Sequence, residues 1–237
     1  MNGRIISRLL GNLLFALGLT MGLCLPIAFY FGERDAGFAL VISMACTFFV
    51  GALLFVWGRS NESNVYRRDA LAVVGFGWLL VGFFGSLPYY FGNIFPNYVD
   101  AYFEAVSGFT TTGATVLTDI ESIPQSLLFW RMTTHWLGGM GIIVLFVAIF
   151  PQIGVGAKQL FRTEVPGPLT EGLRPKIKET AIALWKIYAF LTAAAALLFM
   201  LLGMNPFDAV CHAFSTLATG GYSTKNASIG YFNSWAL

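Results

Sequence analysis

The sequence predicts an all-helical, polytopic membrane protein built from a repeated unit: long helix, half-length helix, loop, long helix. Three observations carry that reading. The chain is 57% hydrophobic and 11% charged, with a mean hydropathy of +0.70, whereas soluble domains carry about 25% charged residues. Five apolar segments reach or approach the roughly 20 residues that a helix needs to cross a bilayer. The sequence beginning at Asn97 also returns, without a gap, at Asn205.

The elements follow in order. Arg4 and Arg8 precede an uncharged run from Leu9 to Gly32. That run is too long for a signal peptide and lacks its small-residue cleavage site, so it reads as a retained span, Leu9 to Phe31. The short loop Glu33-Arg34-Asp35 leads to a second span, Ala36 to Trp57. A third runs from Ala70 to about Phe91, a fourth from Gln125 to Phe150, and a fifth from about Ala181 to Gly203. Asn97 to Phe109 and Asn205 to Leu217 are apolar but only about a dozen residues long, which reaches roughly halfway across and suits re-entrant helices. Between the fourth and fifth spans lies a polar, basic stretch with V-P-G-P and L-R-P, whose prolines block a continuous helix. It suits either anionic lipid heads or a cytoplasmic partner. The expected division is an N-terminal hairpin over 1–65, a first repeat over 66–152, a linker over 153–178 and an incomplete second repeat over 179–237.

Charge sets orientation. With the N-terminus inside, eleven Lys and Arg residues fall on the inner side and only Arg34, Arg131 and Lys225 on the outer side, as the positive-inside rule requires. Both short segments then enter from outside, beside Asp100, Glu104, Asp119, Glu121 and Asp208. A net charge of +2 gives no reason to expect nucleic acid. Cys24, Cys46 and Cys211 stand singly, with neither disulfide nor zinc spacing, and read as small core residues.

The repeat is the informative feature. N-Y-V-D-A-Y-F-E-A-V-S-G-F-T-T-T-G-A-T lies over N-P-F-D-A-V-C-H-A-F-S-T-L-A-T-G-G-Y-S with seven of nineteen positions identical. Each copy places a Thr/Gly loop after a half-length helix. Irregular backbone at membrane depth is tolerated only where protein or water covers it, and its unpaired carbonyls invite a dehydrated cation. Glycine lets a neighbouring carbonyl turn toward the pore by taking positive φ. Threonine adds a hydroxyl, and the negative end of the short helix favours a cation. This is the construction of a potassium filter.

At this point the chain resembles the Trk/Ktr/HKT superfamily of potassium transporters. The residues carrying the resemblance are F-E-A-V-S-G-F-T-T-T-G-A-T (103–115), H-W-L-G-G-M-G-I-I-V (135–144), V-P-G-P (165–168) and F-S-T-L-A-T-G-G-Y-S-T (214–224). The N-terminal hairpin fits the TrkH branch rather than the shorter KtrB branch. The resemblance implies four potassium-channel-like repeats around one pore, of which about one and a half are present here, so the chain reads as the N-terminal half of a longer protein. It implies filter residues Thr111, Thr112 and Gly113 in the first loop and Thr219, Gly220 and Gly221 in the second, with K⁺ and Rb⁺ as transported ions. It also implies a homodimer in the bacterial inner membrane and a cytoplasmic nucleotide-binding regulator of TrkA type. No cofactor and no enzymatic activity are expected. The alternatives are an intramembrane hydrolase, with Ser107 or a Thr activated by His135, and a non-conducting structural subunit.

Other residues have plainer expected roles. His135 and His212 lack a second ligand at suitable spacing and suit polar packing; His212 stands where the first copy has Glu104. Arg131, near the outer end of its span, is expected to snorkel or to pair with Asp119 or Glu121. Asp100 and Asp208 complement the positive ends of the short helices. The six tryptophans fall mostly near expected span ends, as anchors. The glycines of H-W-L-G-G-M-G suit close packing rather than a gating bend.

Overall fold

The computed structural model describes residues 2–59, 67–141 and 177–233. Eight α-helices follow in order: α1 Gly3–Gly22, α2 Leu25–Tyr30, α3 Arg34–Trp57, α4 Arg67–Phe91, α5 Tyr98–Phe109, α6 over 125–141, α7 Ile177–Leu201 and α8 Pro206–Leu217. A 3-10 turn, Ser228–Phe232, follows α8. No strand occurs among the described residues. Among the described residues, four helical stretches are long and apolar enough to cross a membrane: Gly3–Tyr30, Arg34–Trp57, Arg68–Phe91 and Ile182–Leu201. The expected fourth span is helical as far as residue 141; the rest of it, and nearly all of the expected linker, lie outside the described residues.

The first span differs from expectation. It begins at Gly3, not Leu9, and it is broken at Leu23 and Cys24. Pro26 is the cause. Its ring collides with the carbonyl four residues back and it has no N–H to donate; that carbonyl belongs to Gly22, where α1 stops. Close approach between α1 and α3 depends on small residues. A methyl group on Gly11 would meet the Gly51 carbonyl oxygen at 2.8 Å, and one on Gly18 would meet the Phe48 ring at 2.6 Å.

Both short helices form where expected, and they are capped identically. The Asn97 side chain accepts from the Asp100 N–H at 2.9 Å, and Asn205 accepts from Asp208 at 2.9 Å. Each Asn amide also donates back to that aspartate's carboxylate. One orphan backbone N–H at each helix start is thereby satisfied locally, and the second bond holds the capping side chain in place.

The main core joins α1, α3, α4, α5 and α6 through Leu14, Met21, Leu40, Phe84, Ala101, Ala105, Phe109, Leu127 and Trp130. A smaller cluster of Met132, Cys211 and Tyr222 joins α6 to α8 and its loop. Phe29, Phe38, Phe49, Phe76 and Phe190 point outward, more than half exposed, as side chains facing lipid do. The tryptophan expectation holds only in part. Trp57 ends α3 and is exposed. Trp130, by contrast, is fully buried and donates to the Gly85 carbonyl at 2.9 Å, and Trp136 stacks on Phe214. Cys24 and Cys211 are buried free thiols, as core filling predicts.

The helix α6 is fastened at its start by a distant residue. Glu33, in the loop before α3, accepts from the Gln125 N–H at 2.6 Å and from the Ser126 N–H at 2.9 Å and hydroxyl at 2.7 Å. A carboxylate at a helix N-terminus satisfies orphan N–H groups and complements the helix dipole. The N-terminal hairpin is thus tied to the helix that carries Arg131 and His135.

Candidate functional site

The loops after α5 and α8 have the same backbone. Helix α5 ends with the Thr111 N–H donating to Gly108 and the Thr112 N–H to Ser107, both at 3.0 Å; α8 ends with Thr219 donating to Thr216 and Gly220 to Ser215, both at 3.0 Å. This is the Schellman end, which requires one residue in the left-handed region and normally uses glycine. Here that residue is Thr111 (φ 54°) in one loop and Thr219 (φ 56°) in the other. A β-branched residue there is strained. Two positions on, Gly113 (φ 76°) and Gly221 (φ 89°) take positive φ again, without that strain.

The two loops lie side by side. A methyl group placed on Gly113 would overlap the Gly220 carbonyl oxygen, and it would come within 3.8 Å of the Gly221 Cα. Glycine at 220 has a different reason. Its φ is ordinary, but a methyl group there would run into the His135 ring. All six residues expected to form the site therefore fall on two matching, adjacent loops.

The loops return by matching chemistry as well. The Thr115 hydroxyl donates to the Glu104 carboxylate at 3.0 Å and accepts from the Leu117 N–H at 3.1 Å. In the second copy the Ser223 hydroxyl lies 3.0 Å from His212 Nε2 and accepts from the Lys225 N–H at 3.0 Å. His212 Nδ1 lies 2.8 Å from the Asp208 carbonyl. A carbonyl can only accept, so Nδ1 carries the proton and Nε2 accepts from Ser223. Glutamate and histidine thus do one job, accepting a hydroxyl on the returning strand of the loop.

Arg131 corrects the expectation. It neither snorkels nor pairs with Asp119 or Glu121. It is 1% exposed, donates from Nε to Glu104 at 2.6 Å and from Nη1 to the Ser223 carbonyl at 3.2 Å, and lies 3.4 Å over the Tyr222 ring. A lone charge in a membrane helix demands a partner, but spacing along the chain could not choose among several carboxylates. Asp119 and Glu121 instead hold the second copy's outer loop: Asn226 donates to Asp119 at 2.8 Å and, through its N–H, to Glu121 at 3.1 Å. The Asn226 amide, together with the N–H of Glu121, keeps the Asp119 carboxyl below its ordinary range. Asp208 is buried, accepts from Thr224 at 2.6 Å and has Lys225 at 3.9 Å.

The glycines of α6 serve packing, as expected. A methyl group on Gly138 would strike the Phe109 carbonyl, and one on Gly139 would lie 3.1 Å from the Ala218 Cα. Helix α6 therefore runs directly past the ends of both short helices. The Ser107 hydroxyl donates to the Ala114 carbonyl at 2.6 Å, and His135 faces Ser215 rather than Ser107. That arrangement lends no support to Ser107 as a nucleophile activated by His135. No group of three metal-ligating side chains occurs among the described residues.

Comparisons with known proteins agree with this geometry. A family model described as TrkH, cation transport protein, matches residues 36–237. The Trk system potassium uptake protein TrkH of Halomonas elongata is 47% identical over 239 residues, covering 100% of this chain and 49% of the relative. The protein of the same name from Escherichia coli K12 is 43% identical, covering 99% of this chain and 49% of its own length. The crystal structure of the potassium transporter TrkH from Vibrio parahaemolyticus superimposes with a TM-score of 0.85 at 42% identity, over 100% of this chain and 47% of that one. The chain spans about half the length of the curated relatives it matches.

Proposed function

This chain belongs to the TrkH family of cation transport proteins, and from that premise we propose that it forms part of a pore for potassium uptake. The observation that carries the proposal is the pair of adjacent loops with the same threonine and glycine conformations. Thr111, Thr112, Gly113, Thr219, Gly220 and Gly221 line part of the filter. Carbonyls of these loops replace part of the water shell of K⁺ or Rb⁺, and the C-terminal ends of α5 and α8 add negative potential. Arg131 does not oppose the cation, because Glu104 balances its charge at 2.6 Å. The names of the relatives support potassium as the ion.

The finer parts of the proposal concern assembly. The protein lies in a bacterial inner membrane with its N-terminus in the cytoplasm, forms homodimers and docks a nucleotide-binding regulator of TrkA type. The division at residues 65, 152 and 178 separates hairpin, first repeat, linker and second repeat.

The test is tracer Rb⁺ uptake into liposomes carrying the natural gene product that contains this chain, beside Gly113→Asp. K⁺ should compete with Rb⁺ in the parent, and the variant should insert normally but lose uptake. Unchanged, K⁺-selective uptake in Gly113→Asp would sink the assignment of this loop as a filter.

A further inference from the structure

We infer that Tyr222 is a positioning residue: it is a strut that fixes the spacing of the two filter loops, and through that spacing it sets the preference for K⁺ over Na⁺. The inference rests on the reading of these loops as a filter and names the device that holds them in register.

Tyr222 directly follows Gly221, and the 108-residue repeat pairs it with Ala114, which directly follows Gly113. The two equivalent positions are physically joined. The single proton of the Tyr222 hydroxyl is shared between the Glu104 carbonyl at 3.0 Å and the Ala114 carbonyl at 3.3 Å. One side chain of the second loop thus reaches both the filter strand and the short helix of the first repeat.

The ring is clamped as well as tethered. The Arg131 guanidinium carbon lies 3.4 Å from its centroid, and the His135 ring stacks on it with centroids 3.8 Å apart and planes 16° from parallel. Two planar groups this close to one centroid cannot share a face, so Tyr222 lies between them. Both jaws come from α6, four residues apart, on the same face of the helix. Arg131 is held in turn by Glu104 of the first repeat and the Ser223 carbonyl of the second. His135 also lies against Gly220, whose carbonyl abuts Gly113. His135 Nε2 has no hydrogen-bond partner among the described residues, consistent with a ring used for its face.

A filter discriminates between cations by the positions and field of its carbonyls. A preorganised site loses that discrimination when its supporting contacts loosen by fractions of an ångström. The strut joins the residues next to both filter glycines, so it acts where such loosening is felt most. Its removal should alter selectivity without altering insertion.

The experiment compares the natural gene product containing this chain with Tyr222→Phe and Arg131→Lys. Tyr222→Phe removes one oxygen and keeps the clamped ring. Arg131→Lys keeps the charge and loses the planar fork. The readout is the ratio of Na⁺ to K⁺ concentrations that halve Rb⁺ uptake, with membrane abundance and melting temperature measured beside it. We expect the ratio to fall about tenfold in Tyr222→Phe, the scale of one well-placed buried hydrogen bond, with Arg131→Lys shifting the same way. The extra thermal stabilisation that K⁺ confers over Na⁺ on the parent should shrink in both. An unchanged ratio in Tyr222→Phe overturns the strut and leaves the filter standing. A parent protein whose Rb⁺ uptake K⁺ does not block overturns the filter reading itself.

Discussion

The two Thr/Gly loops share one backbone and differ in what stands behind them. In the first, Thr112 is exposed and Glu104 carries a charge paired with Arg131; in the second, Gly220 is buried under His135 and neutral His212 replaces the glutamate. The left-handed threonine, the positive-φ glycine, the Schellman hydrogen bonds and the hydroxyl on the returning strand are the same in both. What repeats is the conformation that turns carbonyls; what varies is the support on the protein side. The lesson is that the backbone of the loop is held to a template, while the packing behind it was solved twice with different residues.

The sharpest way to break the comparison is to make the loops alike. Gly220→Thr would give the second loop the residue of the first, but its Cβ would run into His135. Rb⁺ uptake is expected to fall about tenfold or more, the scale of an overpacked core, with partial recovery on adding His135→Ala. The reverse change, Thr112→Gly, meets no such obstacle and should cost about 1 kcal/mol of stability, from backbone freedom and the loss of its exposed 2.8 Å hydroxyl contact with Thr110. Equal losses from both changes would mean that His135 does not dictate the glycine.

The supporting residues should separate next. Glu104→Gln leaves Arg131 buried without its counter-charge, which costs about 3–5 kcal/mol by the behaviour of broken buried pairs. His212→Gln keeps an acceptor for Ser223 and should cost about 1 kcal/mol. Thermal unfolding in detergent reads both, and the comparison fails if the two variants melt together.

A third test asks where the copies should not differ. Asn97→Ala and Asn205→Ala remove identical caps and should each lower stability by about 1 kcal/mol. A loss at one site and none at the other would show that the short helices are held differently after all.

The smallest effect belongs to the tie between the outer loops. The Asp119 carboxyl is held below its ordinary range by Asn226, so the tie contributes fully above the usual aspartate pKa. It is lost only as pH falls through the lowered folded value. Hydrogen exchange at the N–H groups of Ile120 and Glu121, which donate to Asn226 and Asp119, corrected for its intrinsic pH dependence, should stay slow through mildly acidic pH and quicken only below the ordinary carboxylate range. Asp119→Asn should remove that acid step.

The sequence by itself determined whatever local chemistry decides. Runs of apolar residues located four of the five expected spans, because the bilayer acts as solvent for each helix separately. The duplicated Thr/Gly segments located both loops because their backbone conformation is written in adjacent residues. The break at Pro26 was also written locally, in a residue that cannot continue a helix, although hydropathy alone reads straight through it. Only the tertiary structure decided that Arg131 pairs with Glu104 and not with Asp119 or Glu121. It likewise set Glu33 on the start of α6, Gly113 against the Gly220 carbonyl, and Tyr222 between Arg131 and His135. Each of these is a choice among chemically equivalent partners far apart in the chain. Distance in the packed protein makes that choice, and spacing along the sequence does not encode it.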